Sequence, residues 1–137
     1  MCFPTFVALF ISYNRKENRF MKIQKIKDLL DATVLCGEEN LDGDVKSACG
    51  CDMMSDVLAF VKDQAVLLTG LCNPQVVRTA MMMDMRCIVF VRGKEPSADI
   101  VALAKDAGIV IMTTELRMYV ACGLLYSEGL NGGECSQ

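Results

Sequence analysis

The sequence predicts an α/β fold: a central sheet with three parallel βα units and helices on its faces. Three observations carry this. Short, continuously apolar runs alternate with segments whose apolar residues recur at helical spacing, the runs are bounded by glycine, proline or asparagine, and the alternation repeats three times from Val66 onward. Strands that alternate with helices of about ten residues pair in parallel through right-handed crossovers.

Residues 1–20 are read as an N-terminal extension, 21–130 as the folded domain and 131–137 as a polar tail. Phe6 to Ile11 is apolar, but far short of the roughly 20 residues that span a bilayer. Arg15, Lys16 and Arg19 follow that run instead of preceding it, which is the wrong order for a secretory leader. From Met21 the domain begins: Ile23, Ile26, Leu29 and Leu30 mark one face of a short helix. Thr33 to Cys36 reads as a strand ended by Gly37. Leu41 to Asp44 is a turn, followed by an extended stretch from Val45 to Ala48. Met53, Met54, Val57, Leu58 and Val61 then predict a helix over 52–62.

The three repeating units follow. Val66 to Thr69 is a strand, and Asn73-Pro74 is an N-cap with proline at the first helical position, opening a helix to Asp84 that buries Val76, Val77, Ala80 and Met81 or Met83. Cys87 to Val91 is continuously hydrophobic, as parallel strands covered on both faces are. Ser97 can cap a helix carrying Ile100, Val101, Leu103, Ala104 and Ala107, which ends at Gly108 as a left-handed residue before the strand Ile109 to Met112. A last helix, Leu116 to Ser127, shows Met118, Cys122 and Leu125 on one side. Ile88, Phe90 and Ile111 are expected in the core, and Arg92 and Lys94 on the surface.

Composition excludes several classes of function. The chain has 137 residues, enough for one core, with 53% hydrophobic and 23% charged residues, which argues against disorder. Its net charge of −3 gives no basic footprint for nucleic acid. Eight cysteines in a chain with so apolar a core read as free thiols of a cytoplasmic protein, not as a disulfide scaffold. Cys36, Cys49, Cys51 and Cys72 lack the spacing of a zinc site, and no metal is expected. With no histidine, no phosphate loop of the G-x-x-x-x-G-K type, no G-x-G-x-x-G and no nucleophile elbow, no catalytic residues are assigned. Cys72 is the one thiol near a helix start that a lowered pKa could activate.

What remains is a loop constellation. Ligands of open parallel sheets bind beyond the carboxyl ends of the strands, and three such ends offer Thr69, Gly70 and Asn73; Arg92, Gly93 and Lys94; and Thr113 and Thr114. Hydroxyls, glycines, two cations and the free N–H groups of the following helices make these the expected contacts for an anionic ligand.

Five strings occur in one order: Val34 to Glu39, Cys51 to Val57, Thr69 to Pro74, Ile88 to Ser97 and Met118 to Tyr126. In that order the chain resembles the stand-alone DRTGG-domain proteins over about Met21 to Leu130. The resemblance implies a fold similar to the HPr kinase N-terminal domain and the Mur ligase N-terminal domains, and a regulatory or oligomerising role; the kinase chemistry of HPr kinase lies in a different domain. It departs from the naming motif, with Leu71-Cys72 at the Asp-Arg position and Val91-Arg92-Gly93 at the Thr-Gly-Gly position, leaving one glycine. Two readings follow: a ligand-sensing module for a nucleotide or other phosphorylated small molecule, or an accessory interaction and oligomerisation module, which the resemblance links to hydrogenase or redox metabolism in anaerobic bacteria. A homodimer is expected by the same resemblance, with no cofactor identified and neither membrane nor nucleic acid as partner.

Overall fold

The computed structural model describes residues 20–61 and 64–133; the expectations for the extension up to residue 19 and for the last four tail residues lie outside them. Its elements are β1 (Met21–Lys22), α1 (Ile23–Leu29), β2 (Thr33–Cys36), a 3-10 turn (Glu38–Asn40), β3 (Asp44–Val45), β4 (Ser47–Gly50), α2 (Met54–Phe60), β5 (Ala65–Thr69), α3 (Pro74–Met82), β6 (Cys87–Phe90), α4 (Ala98–Asp106), β7 (Val110–Thr113) and α5 (Met118–Ser127). The five-stranded sheet has the order β2-β7-β6-β5-β4. β4 to β7 are parallel, and β2 pairs antiparallel with β7 through a register shift between Val34 and Cys36. β1 and β3 form a separate antiparallel ribbon.

The predicted α/β class and its three parallel strands are thus present, with one addition. The stretch after Val45 is a fourth parallel strand, β4, whose Ser47 to Gly50 pair with Ala65 to Leu68. Because β4 to β7 neighbour one another in chain order, their three crossover helices fall on one face. Val57 of α2, Val76, Val77 and Ala80 of α3, and Ile100 and Ala104 of α4 pack there on Leu67, Ile88, Phe90 and Ile111. The opposite face packs Val66, Leu68, Val89, Val91 and Met112 against Ile23, Ile26 and Leu30 and against Ala121 and Leu125 of α5. Alternate residues of β5, β6 and β7 therefore enter two cores, which explains the continuous hydrophobicity of those strands.

Local chemistry sets the ends. Gly108, just past α4, has φ +72°, the left-handed stop expected of it. Asn73 and Ser97 occupy the N-cap positions of α3 and α4, yet neither side chain makes a capping hydrogen bond. Met83, at the C-cap of α3, packs against the core, while Met81 on the helix faces solvent. Among the described residues no helix is long and apolar enough to cross a membrane.

Candidate functional site

The loops after β4, β5, β6 and β7 share one edge, because four parallel strands end there. Their order does not reverse, so no switch-point crevice opens among them. A shallow depression lies at the other end of the strands, around Glu39, Asp42, Asp84 and Arg86; its three carboxylates suit an anion poorly.

The centre of the C-terminal edge is the β5 loop. Asp52, two residues past β4, points one carboxylate oxygen, Oδ1, into it: the Thr69 hydroxyl donates to that oxygen at 2.9 Å and the Gly70 N–H at 2.8 Å. Leu71 N–H in turn donates to Thr69 Oγ1 at 3.1 Å. Thr69 is fully buried, so this network keeps a buried hydroxyl satisfied on both sides.

Arg92 lies across this loop. A Cβ on Gly70 would meet the Arg92 guanidinium, whose Cζ would be 3.2 Å away, so any larger residue there would displace the guanidinium from its place over the loop. Arg92 itself has φ +60°, a left-handed conformation costing an ordinary L-residue about 1 kcal/mol. It is held by its N–H donating to Leu116 O at 2.8 Å and by Gly93 N–H donating to Thr114 O at 2.8 Å. Gly93, also left-handed, lies against Glu115, where an added Cβ would be 2.6 Å from Oε2. Arg92 and Lys94 are both exposed, and neither forms an ion pair with another described residue; the two pairs found there are Lys22–Asp44 and Lys25–Glu128.

The structure thus brings Gly70 and Arg92 together, with Gly93 and Lys94 on the same turn. It uses the threonines differently. Thr113 Oγ1 donates to Lys94 O at 2.8 Å and Thr114 Oγ1 to Leu30 O at 2.7 Å, so these hydroxyls brace the β6 loop and the β2–β7 side; Thr114 is buried and Thr113 half-buried. The Gly70 N–H is likewise spent on Asp52. Asn73 contributes a buried Oδ1 with no hydrogen-bond partner among the described residues. Asp52 was not among the expected site residues; had Ser47 to Gly50 been read as a parallel strand, its position just past that strand would have placed it on this edge.

The cysteine expectations resolve individually. Burial pushes the Cys72 thiol up, and nearby Lys94 only partly offsets it, so the thiolate that nucleophilic chemistry requires is disfavoured at neutral pH. Burial, with Cys51 and Cys122 close by, raises Cys49 to about 11. Among the described residues no three cysteine, aspartate or glutamate side chains gather in an arrangement that could hold a metal.

Residues 25–126 match the DRTGG domain family, and the chain belongs to it. No curated protein matches it in sequence. In structure it is similar to the CBS and DRTGG domains of the regulatory region of Clostridium perfringens pyrophosphatase, solved in complex with the activator diadenosine tetraphosphate, at a TM-score of 0.65 and 19% identity. That likeness covers 85% of this chain and 50% of the pyrophosphatase chain, so this chain spans about half its length. At this identity the likeness establishes the fold.

Proposed function

We propose that this protein is a non-catalytic, ligand-sensing regulatory module of the cytoplasm, in which the domain of residues 21–130 binds a nucleotide or another phosphorylated small molecule at the C-terminal edge of its sheet. The observation that carries the reading is Arg92: exposed, without a carboxylate partner among the described residues, and kept in a costly left-handed conformation with its guanidinium over Gly70. Strain of this kind is concentrated at ligand sites. The guanidinium fork suits phosphate oxygens bidentately and Lys94 adds a point charge. Membership of the DRTGG family, and the nucleotide activator bound by the pyrophosphatase regulatory region, are consistent with this class of ligand.

A thermal-shift panel of nucleotides, with inorganic phosphate as control, tests the reading. A true ligand at 100-fold over its Kd stabilises by about 2.7 kcal/mol, and Arg92→Ala with Lys94→Ala should abolish that shift while leaving the unliganded melting point near wild type. A silent panel, or a shift that survives in the double variant, would favour the interaction-module reading.

A further inference from the structure

Two thiols stand one residue apart where the edge strand β4 ends, in the string Cys49-Gly50-Cys51-Asp52. Both are free and half-buried, and both pack on the α2–α4 side of the sheet, so they share a face as residues i and i+2 of a strand do. Cys51 also shapes the loop that presents Asp52. Its sulfur accepts the Met53 N–H at 3.3 Å and donates to Met53 O at 3.4 Å, closing a tight turn around Asp52. The Oδ1 of Asp52 in turn holds the Thr69 hydroxyl and the Gly70 N–H. The thiol pair therefore ends one residue from the carboxylate that fixes the β5 loop.

We propose that Cys49 and Cys51 are a redox modification site: a hydroperoxide closes them into a disulfide, which draws Asp52 off the β5 loop, and a thiol reductant restores it. Residues two apart on an extended strand have Cα atoms roughly 6.6 Å apart. That is near the upper end of the span of about 4.4–6.8 Å that a disulfide bridges, and most close at about 5.5–6 Å. The sulfurs are within reach, and closing them shortens the backbone by up to about 1 Å. Gly50 is the place where the chain can give, having no side chain to restrict it; a Cβ there would lie 2.6 Å from Cys122 Sγ. The reduced pair is held extended by the Cys51 N–H donating to Leu68 O at 3.0 Å. A shift of about 1 Å takes the Asp52 hydrogen bonds, now 2.9 and 2.8 Å, past the roughly 3.5 Å at which such bonds fail. The chemistry balances. The Cys51 sulfur attacks a peroxide oxygen and the O–O bond breaks, giving a sulfenic acid and, from hydrogen peroxide, water. The Cys49 sulfur then attacks the Cys51 sulfur; the S–S bond forms, the S–O bond breaks, and the hydroxyl leaves with the Cys49 proton as a second water. Two thiols lose two electrons, and one peroxide gains them. Burial, with Cys51 and Cys122 close by, pushes Cys49 up to about 11, so the deeper thiol is the poorer first nucleophile and acts as the resolving partner, held beside its target.

Titration of the reduced full chain with hydrogen peroxide, then alkylation of the remaining thiols, proteolysis and mass spectrometry, tests the bond. The expected product is a peptide carrying both Cys49 and Cys51 unalkylated, lighter by two hydrogens and restored by reductant. Cys122→Ser should keep it, and Cys51→Ser or Cys49→Ser should abolish it. Cys49→Ala repeats the test without placing a hydroxyl in a half-buried position, and circular dichroism should show each variant folded. Hydrogen exchange reads the switch. The Gly70 amide should exchange at least about tenfold faster after oxidation, as the loss of one hydrogen bond to a carboxylate implies, and should recover on reduction. In Cys49→Ala it should not respond to peroxide. Neither readout involves a ligand at the strand ends. Both thiols alkylated after peroxide, or either sulfur linked to Cys72, Cys122 or any other cysteine, overturns the site. A Cys49–Cys51 bond that leaves Gly70 exchange unchanged overturns the switch, and so does peroxide-dependent exchange in Cys49→Ala.

Discussion

Phe90 and Arg92 are two residues apart, on either side of the point where β6 leaves the sheet, and they are held by different physics. Phe90 is fully buried, touches the α2–α4 layer and is paired with Thr69 and Thr113 on both flanks. Arg92 is exposed, left-handed and fixed by backbone hydrogen bonds to Leu116 and the neighbouring Gly93–Thr114 contact. The strand depends on area removed from water and tolerates similar shapes; the loop depends on particular donors and acceptors and tolerates few. Stability should therefore fall steeply for changes inside β5 to β7, moderately for the polar struts beneath the loops, and hardly at all for the loop surface.

The largest effect is expected inside the strand. Phe90→Ala removes a fully buried ring from a position with little room to relax, and should cost about 3–5 kcal/mol by denaturant unfolding. A loss below about 1 kcal/mol would mean that β6 is not the structural centre the sheet order makes it, and the contrast between strand and loop would collapse.

An intermediate effect is expected at Asp52. Asp52→Ala takes the acceptor from the buried Thr69 hydroxyl and from the Gly70 N–H, leaving a desolvated donor unpaired at about 1–3 kcal/mol. Asp52→Asn keeps an acceptor oxygen in the same place and should cost less. Equal losses for the two would show that the carboxylate's charge, not its hydrogen bonds, holds the β5 loop.

The same division decided what the sequence could reveal. β5, β6 and β7 were legible because burial on both faces leaves an unbroken apolar run. β4 was legible only as an extended stretch to Ala48: Ser47-Ala48-Cys49-Gly50 has no such run, and its place in the parallel sheet comes from pairing with β5. The direction of β2 was also hidden, since an apolar run of four does not say which way its neighbour points. At the candidate site, Arg92, Lys94, Gly70 and Gly93 could be found from the strand ends, whereas the inward use of Thr114 could not, because its acceptor, Leu30 O, is 84 positions away. α5 was legible as a helix, but Met118, Cys122 and Leu125 suggested a single apolar side; Tyr119, Val120, Leu124 and Tyr126 make the other side apolar as well.

The smallest effect on stability is expected at Arg92, where it also separates fold from function most sharply. The position needs φ +60°, which glycine adopts freely and arginine does not. Arg92→Gly relieves about 1 kcal/mol of backbone strain and gives back about 0.5–1 kcal/mol through the greater freedom of glycine in the unfolded chain. The two nearly cancel, and the exposed guanidinium supports no ion pair with a described residue whose loss would tip the balance. Unfolding free energy should therefore stay within about 1 kcal/mol of wild type, on either side. Phosphorylated-ligand binding, by contrast, should be lost as fully as the fork that makes it. If Arg92→Gly instead destabilised as much as Asp52→Ala, the guanidinium over Gly70 would be a strut of the loop, and its left-handed backbone would serve the fold and not a ligand.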